Sequence, residues 1–136
     1  MTAERARNGG IGALHLAISN AVVGQMREYT GRGPTKARTS IRENIVVVML
    51  EQTLTKGEQS LVARGREEKV LEIRQEYQAA MRDSCCAAIA ELTGRSVSAM
   101  LSANHIDPDL AAEIFVLDAP PDLSDPALAV AATGTE

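Results

Sequence analysis

The sequence has no tryptophan, one phenylalanine and two tyrosines, so aromatic residues make up only 2%. It therefore lacks the stacking rings on which single-stranded nucleic acid is held. Cations are also in deficit: 14 Lys and Arg against 18 Asp and Glu give a formal net charge of -4. Phosphate contact needs net basic surface, so no nucleic-acid partner is expected. Cysteine is confined to the adjacent pair Cys85 and Cys86. Neighbours on a helix point about 100° apart, and a bridge between them would be strained. A disulfide scaffold is excluded, which suits a reducing compartment. Long apolar runs are missing too. The longest is Ile45–Leu50, whereas a membrane-spanning helix needs roughly 20 residues. Met1-Thr2-Ala3-Glu4-Arg5 does not open a signal peptide. The expectation is a cytoplasmic chain, not integral to a membrane.

What is present suits one ordinary domain. The chain has 136 residues, 45% hydrophobic and 24% charged, which rules out wholesale disorder. A polar start ending at Gly9-Gly10 reads as a flexible arm over residues 1–11. Leu14, Ile18, Val22, Met26 and Tyr29 then form one apolar stripe of a first helix. Thr30-Gly31-Arg32-Gly33-Pro34 stops it. From Lys36 to Arg42 the period changes to two, with Ala37, Thr39 and Ile41 on one face and Lys36, Arg38, Ser40 and Arg42 on the other. Glu43-Asn44 is a turn, and Ile45–Leu50 reads as a second strand buried on both sides.

Thr55-Lys56-Gly57-Glu58 matches a capping box. The helical pattern behind it runs through Val70, Ile73, Tyr77, Met81, Cys85, Ala88 and Leu92, with a kink or break expected near Gly65, and stops at Thr93-Gly94. Alternation returns over residues 97–102 and 110–117, around the turn cluster Asn104-His105-Ile106-Asp107-Pro108-Asp109. The Pro- and Ala-rich end, 119–136, reads as a flexible tail. The order helix, hairpin, helix or helix pair, hairpin predicts an α+β domain over 12–118. It would be a two-layer sandwich: an antiparallel four-stranded sheet of two hairpins with helices on one face.

Five features bear on function. The loop Gly31–Lys36 offers backbone N–H groups and cations to an anion, but it departs from the phosphate-loop pattern and precedes a strand, so a helix stop explains it as well. His105, Asp107 and Asp109 group an imidazole with two carboxylates, yet a closed metal site needs about four ligands and the same residues suit a hairpin turn. Cys85 falls on the apolar helix stripe and reads as core. Arg32, Lys36, Arg38 and Arg42 concentrate positive charge in an acidic chain and form the candidate docking or anion-binding surface. A solvated, aggregation-resistant edge strand is the plainer account of the same residues. Apolar sheet surface also exceeds what helices on one side can cover. A homodimer is expected, with Met100, Phe115 and Leu117 at its interface.

In order and spacing, several segments together resemble the MpsC-like family over roughly residues 12–118. They are Glu28-Tyr29-Thr30-Gly31-Arg32-Gly33-Pro34-Thr35-Lys36-Ala37-Arg38, Ile45–Glu51, Thr53–Glu58, Glu91-Leu92-Thr93-Gly94-Arg95, Asn104–Asp109 and Glu113–Leu117. That family is named for a Na+-translocating, membrane-potential-generating system. The resemblance implies a non-catalytic accessory or regulatory role, exerted by protein contact from the cytoplasmic face of an integral membrane cation or inorganic-carbon complex. No cofactor or metal is implied. The alternative is a small enzyme binding an anion or metal at the Gly31–Lys36 loop or the His105/Asp107/Asp109 turn. It lacks a complete nucleophile–base or ligand set.

Overall fold

Leu14, Ile18, Val22 and Met26 recur every four residues and bury one stripe of the first helix, α1 (Ala3–Thr30), each side chain at most 3% exposed. Tyr29, which continues the spacing, lies outside this buried set and is exposed. The computed structural model describes residues 3–124, with side chains from residue 10 onward. The expected flexible arm over residues 1–11 is instead helical from Ala3. Ala, Glu and Arg are strong helix formers, which favours the helix against the cost of about 1 kcal/mol for each interior glycine. Most of the expected tail, residues 125–136, lies outside the described residues.

Strands β1 (Lys36–Arg42) and β2 (Ile45–Glu51) form the first hairpin, and β3 (Val97–His105) and β4 (Leu110–Leu117) the second. β2 pairs with β4, both antiparallel, which gives one open sheet in the order β1-β2-β4-β3. The register aligns Ile41, Val46, Phe115 and Met100 in one row across it. Ala37, Leu50, Ala111 and Asn104 form another row, with Thr39, Val48, Glu113 and Ser102 between them. This face lies under α1 and α3. The fold is the two-layer α+β arrangement that the element order predicts.

The long helical pattern breaks at Gly65. α2 (Lys56–Ala63) begins at the capping box, with the Thr55 hydroxyl accepting from Glu58 N and Glu58 accepting from Thr55 N. Gly65 then takes φ +74, a left-handed turn that releases α3 (Glu67–Thr93) in a new direction. Gly94, also left-handed, ends α3.

Two expectations about faces are corrected. β2 is not buried on both sides: Val46, Val48 and Leu50 are fully buried, but Ile45, Val47 and Met49 are half-exposed on the far face. Met100, Phe115 and Leu117 do not lie on the uncovered face. They are 5%, 0% and 1% exposed and belong to the core under the helices. Both faces of β4 are apolar apart from Glu113, and a carboxylate ordinarily marks the solvent side. Here Glu113 is buried, so its whole face turns inward and the opposite parity is left uncovered by the described residues.

Candidate functional site

The uncovered sheet face carries Ile45, Val47 and Met49 of β2, Ala112, Ile114 and Val116 of β4, and Leu101 of β3. Most are half-buried by their neighbours, but Leu101 is 53% exposed. Alternation places Lys36, Arg38, Ser40 and Arg42 on the same face along the edge strand β1, all exposed. Their opposite parity packs inward: Ala37 and Ile41 touch the core, and the Thr39 and Ser19 hydroxyls hydrogen-bond at 2.7 Å. Lys36 makes one long ion pair with Glu51 at 3.9 Å, while Arg38 and Arg42 make none among the described residues. A shallow hollow of about 290 Å³ sits between Ser40, Arg42, Glu43, Ile45 and Val47. A row of cations therefore borders an apolar strip.

Arg32 does not join that row. Its guanidinium donates twice to Gln52 O, at 3.3 Å each, and lines a separate open cleft of about 500 Å³. Asp107 and Asp109 line the same cleft, so the fold brings together candidates from two distant segments. Most of their chemistry is already engaged. Asp109 accepts from Thr53 N and the Thr53 hydroxyl with one oxygen and from Leu54 N with the other, tying the β3–β4 turn to the approach to α2. His105 Nδ1 lies 2.8 Å from Pro108 O. A carbonyl can only accept, so Nδ1 carries the hydrogen there. Among the described residues no three His, Cys, Asp or Glu side chains are placed to hold a metal ion. In the Gly31–Lys36 loop, Gly31 N closes α1 on Arg27 O, Arg32 N donates to the Thr30 hydroxyl and Thr35 N donates to Glu51 O. Those amides are spent on local structure rather than aimed together at an anion.

A buried polar cluster escaped the sequence reading. Arg74, 2% exposed, donates to Thr53 O, the Thr53 hydroxyl, Glu58 Oε1 and Asn104 Oδ1. Gln78 and Asn104 exchange amide hydrogen bonds at 2.9 Å, and Gln78 Nε2 also reaches Glu113 at 3.1 Å. The Ser102 hydroxyl donates to the other Glu113 oxygen at 2.6 Å. Burial pushes the Glu113 carboxyl up to about 7, against the pull of Ser102, Gln78, Arg74 and Arg82. Cys85, buried near it, is pushed up to about 12 by desolvation and by the carboxylate. The available signal was spacing: Arg74 and Gln78 continue the step of four from Val70, where Ile73 and Tyr77 are the apolar alternatives.

These features define a small open-sheet α+β protein, with one sheet face sealed by helices and the other, among the described residues, bare and bordered by cations. The chain belongs to the MpsC family: the family model described as the Na+-translocating membrane potential-generating system (MpsC) matches residues 11–119, most of the chain. No curated protein and no solved structure matches it. Among the described residues no helix is long and apolar enough to cross a membrane.

Proposed function

We propose that this protein is an accessory component of the membrane-potential-generating system for which its family is named, working at the inner face of the membrane by contact with an integral subunit. The observation that carries the reading is the row Lys36, Arg38 and Arg42 beside the bare apolar strip, in a chain of net charge -4. Such a surface fits an acidic, partly apolar protein surface. The cations set encounter rate and salt sensitivity, and the apolar strip supplies the buried area. Contact is favoured over catalysis because Asp109 and the Gly31, Arg32 and Thr35 amides are engaged in local structure.

Co-expression with the membrane proteins encoded beside it, followed by capture at low and high salt, tests the reading. Capture at low salt should weaken at high salt and be lost on reversing Lys36, Arg38 and Arg42 to glutamate. These side chains are exposed, so reversal should leave the melting curve nearly unchanged. Capture indifferent to both salt and reversal, or binding only to anionic lipid vesicles, would exclude this surface as a protein-docking site.

A further inference from the structure

The two edges of the sheet differ in a way that bears on self-association. β1, at one edge, places three cations along its exposed face, the usual protection against strand addition. β3, at the other edge, has nine residues and not one Lys, Arg, Asp, Glu or Pro. Seven of the nine, counting half-buried Asn104 and Val97 out, are Ser98, Ala99, Met100, Leu101, Ser102, Ala103 and His105, and of these only Met100 is buried. Its ladder partner β4 lies on one side only, so the outward N–H and C=O groups of β3 face no strand among the described residues. A register shift between Val97 and Ala99 disturbs the start of the strand, but the ladder is regular from Ala99 to His105.

We propose that β3 pairs antiparallel with β3 of a second copy, joining two four-stranded sheets into one of eight strands. Three features select a second copy as the occupant. An isologous pair sets each strand against itself, which an uncharged strand tolerates and β1 does not, because its cations would oppose their like. Leu101 is the midpoint of Val97–His105, and a twofold axis at or beside it brings both exposed Leu101 side chains together on one face. Pairing also closes: with both β3 edges consumed, the strand edges left among the described residues are the cation-guarded β1 edges, so growth stops at two copies. The joined sheet then presents one apolar strip with a basic row at each border. The pairing stands independently of the docking role, and either can fail without the other.

Sedimentation equilibrium of the full chain, over roughly 1–300 µM, reads the association. The wild type should be a dimer in the upper part of that range. Leu101→Lys with Ala103→Lys should weaken it at least tenfold, with the circular dichroism spectrum unchanged. Val47→Lys, in the middle of the bare face, and the glutamate reversal of Lys36, Arg38 and Arg42 should leave the mass as it is. A wild type monomeric at the highest concentration overturns the proposal. So does a dimer that survives the β3 lysines, or one that Val47→Lys dissociates, which would assign the contact to the sheet face. Hydrogen exchange on the unsubstituted chain covers the case of a variant that misfolds. Amides in Ala99–His105 should exchange more slowly as concentration rises, and concentration-independent exchange, as if the chain's own residues 125–136 lay along β3, overturns it.

Discussion

Glu113 is the residue where ordinary patterning misleads. It shares a strand face with Ala111, Phe115 and Leu117, and a charged position on an apolar strand normally faces water. It is fully buried because Gln78 and Ser102 hydrogen-bond its two oxygens. Its carboxyl sits at about 7, above the ordinary value of 4.5 that applies to the unfolded chain. The folded state therefore holds this proton more tightly. The resulting stability is fully present below about pH 4.5 and is lost as pH rises through 7, up to roughly 3 kcal/mol. Arg74 and Arg82 from α3 pull the other way, and the Cys85 thiol is neutral across this range. Glu113→Gln should flatten denaturant midpoints between pH 5 and 7.5 and make the variant more stable than wild type at pH 8 (a window set by the two pKa values). An unchanged pH slope in urea titrations would show that Glu113 ionises freely in the folded state.

At the scale of elements, the β3–β4 turn illustrates how one set of residues carries two readings. Asn, Asp and Pro suit a tight connection, and His with two carboxylates suits a ligand site. The turn sits against the chain leading into α2, and Asp109 satisfies the Thr53 and Leu54 amides there. Leaving two part-buried N–H groups without acceptors costs about 1–3 kcal/mol for each. Asp109→Ala should therefore lower thermal stability by several degrees, while Asp107→Ala, at an exposed position, should stay within about 0.5 kcal/mol. Equal, small effects from both would mean that the Asp109 bonds contribute nothing net. The break at Gly65 belongs to the same scale. Glycine at that position signals weakness in a helix, but the left-handed turn that redirects α3 is visible only once α3 packs on the sheet.

Across the whole molecule, stability rests on the layer between the helices and the inner sheet face. Phe115, the only phenylalanine, lies at 0% exposure in the row Ile41, Val46, Phe115, Met100, with the apolar stripes of α1 and α3 in the same core. Phe115→Ala should cost about 3–5 kcal/mol by cavity formation, enough to unfold a large fraction of a marginal domain. Ile114→Ala, at the preceding residue but on the bare face, should cost clearly less, since it is already partly in water. Equal losses in chemical denaturation would contradict this assignment of faces.

Local chemistry alone determined much of this protein. Period-two alternation set β1, and Thr55 with Glu58 set the start of α2. The step of four from Leu14 to Met26 set the buried stripe of α1, and Gly31 and Gly94 set two helix stops. Each depends on residues within a turn or two of each other, where spacing and side-chain type suffice. The burial of Glu113, the inward turn of Met100, Phe115 and Leu117, the parting of Arg32 from the β1 cations, and the polar positions Arg74 and Gln78 were decided only by tertiary structure. They depend on which face of β4 meets α3 and on strands paired across long sequence separations, and a strand with two apolar faces carries no local mark of which one the helices will cover.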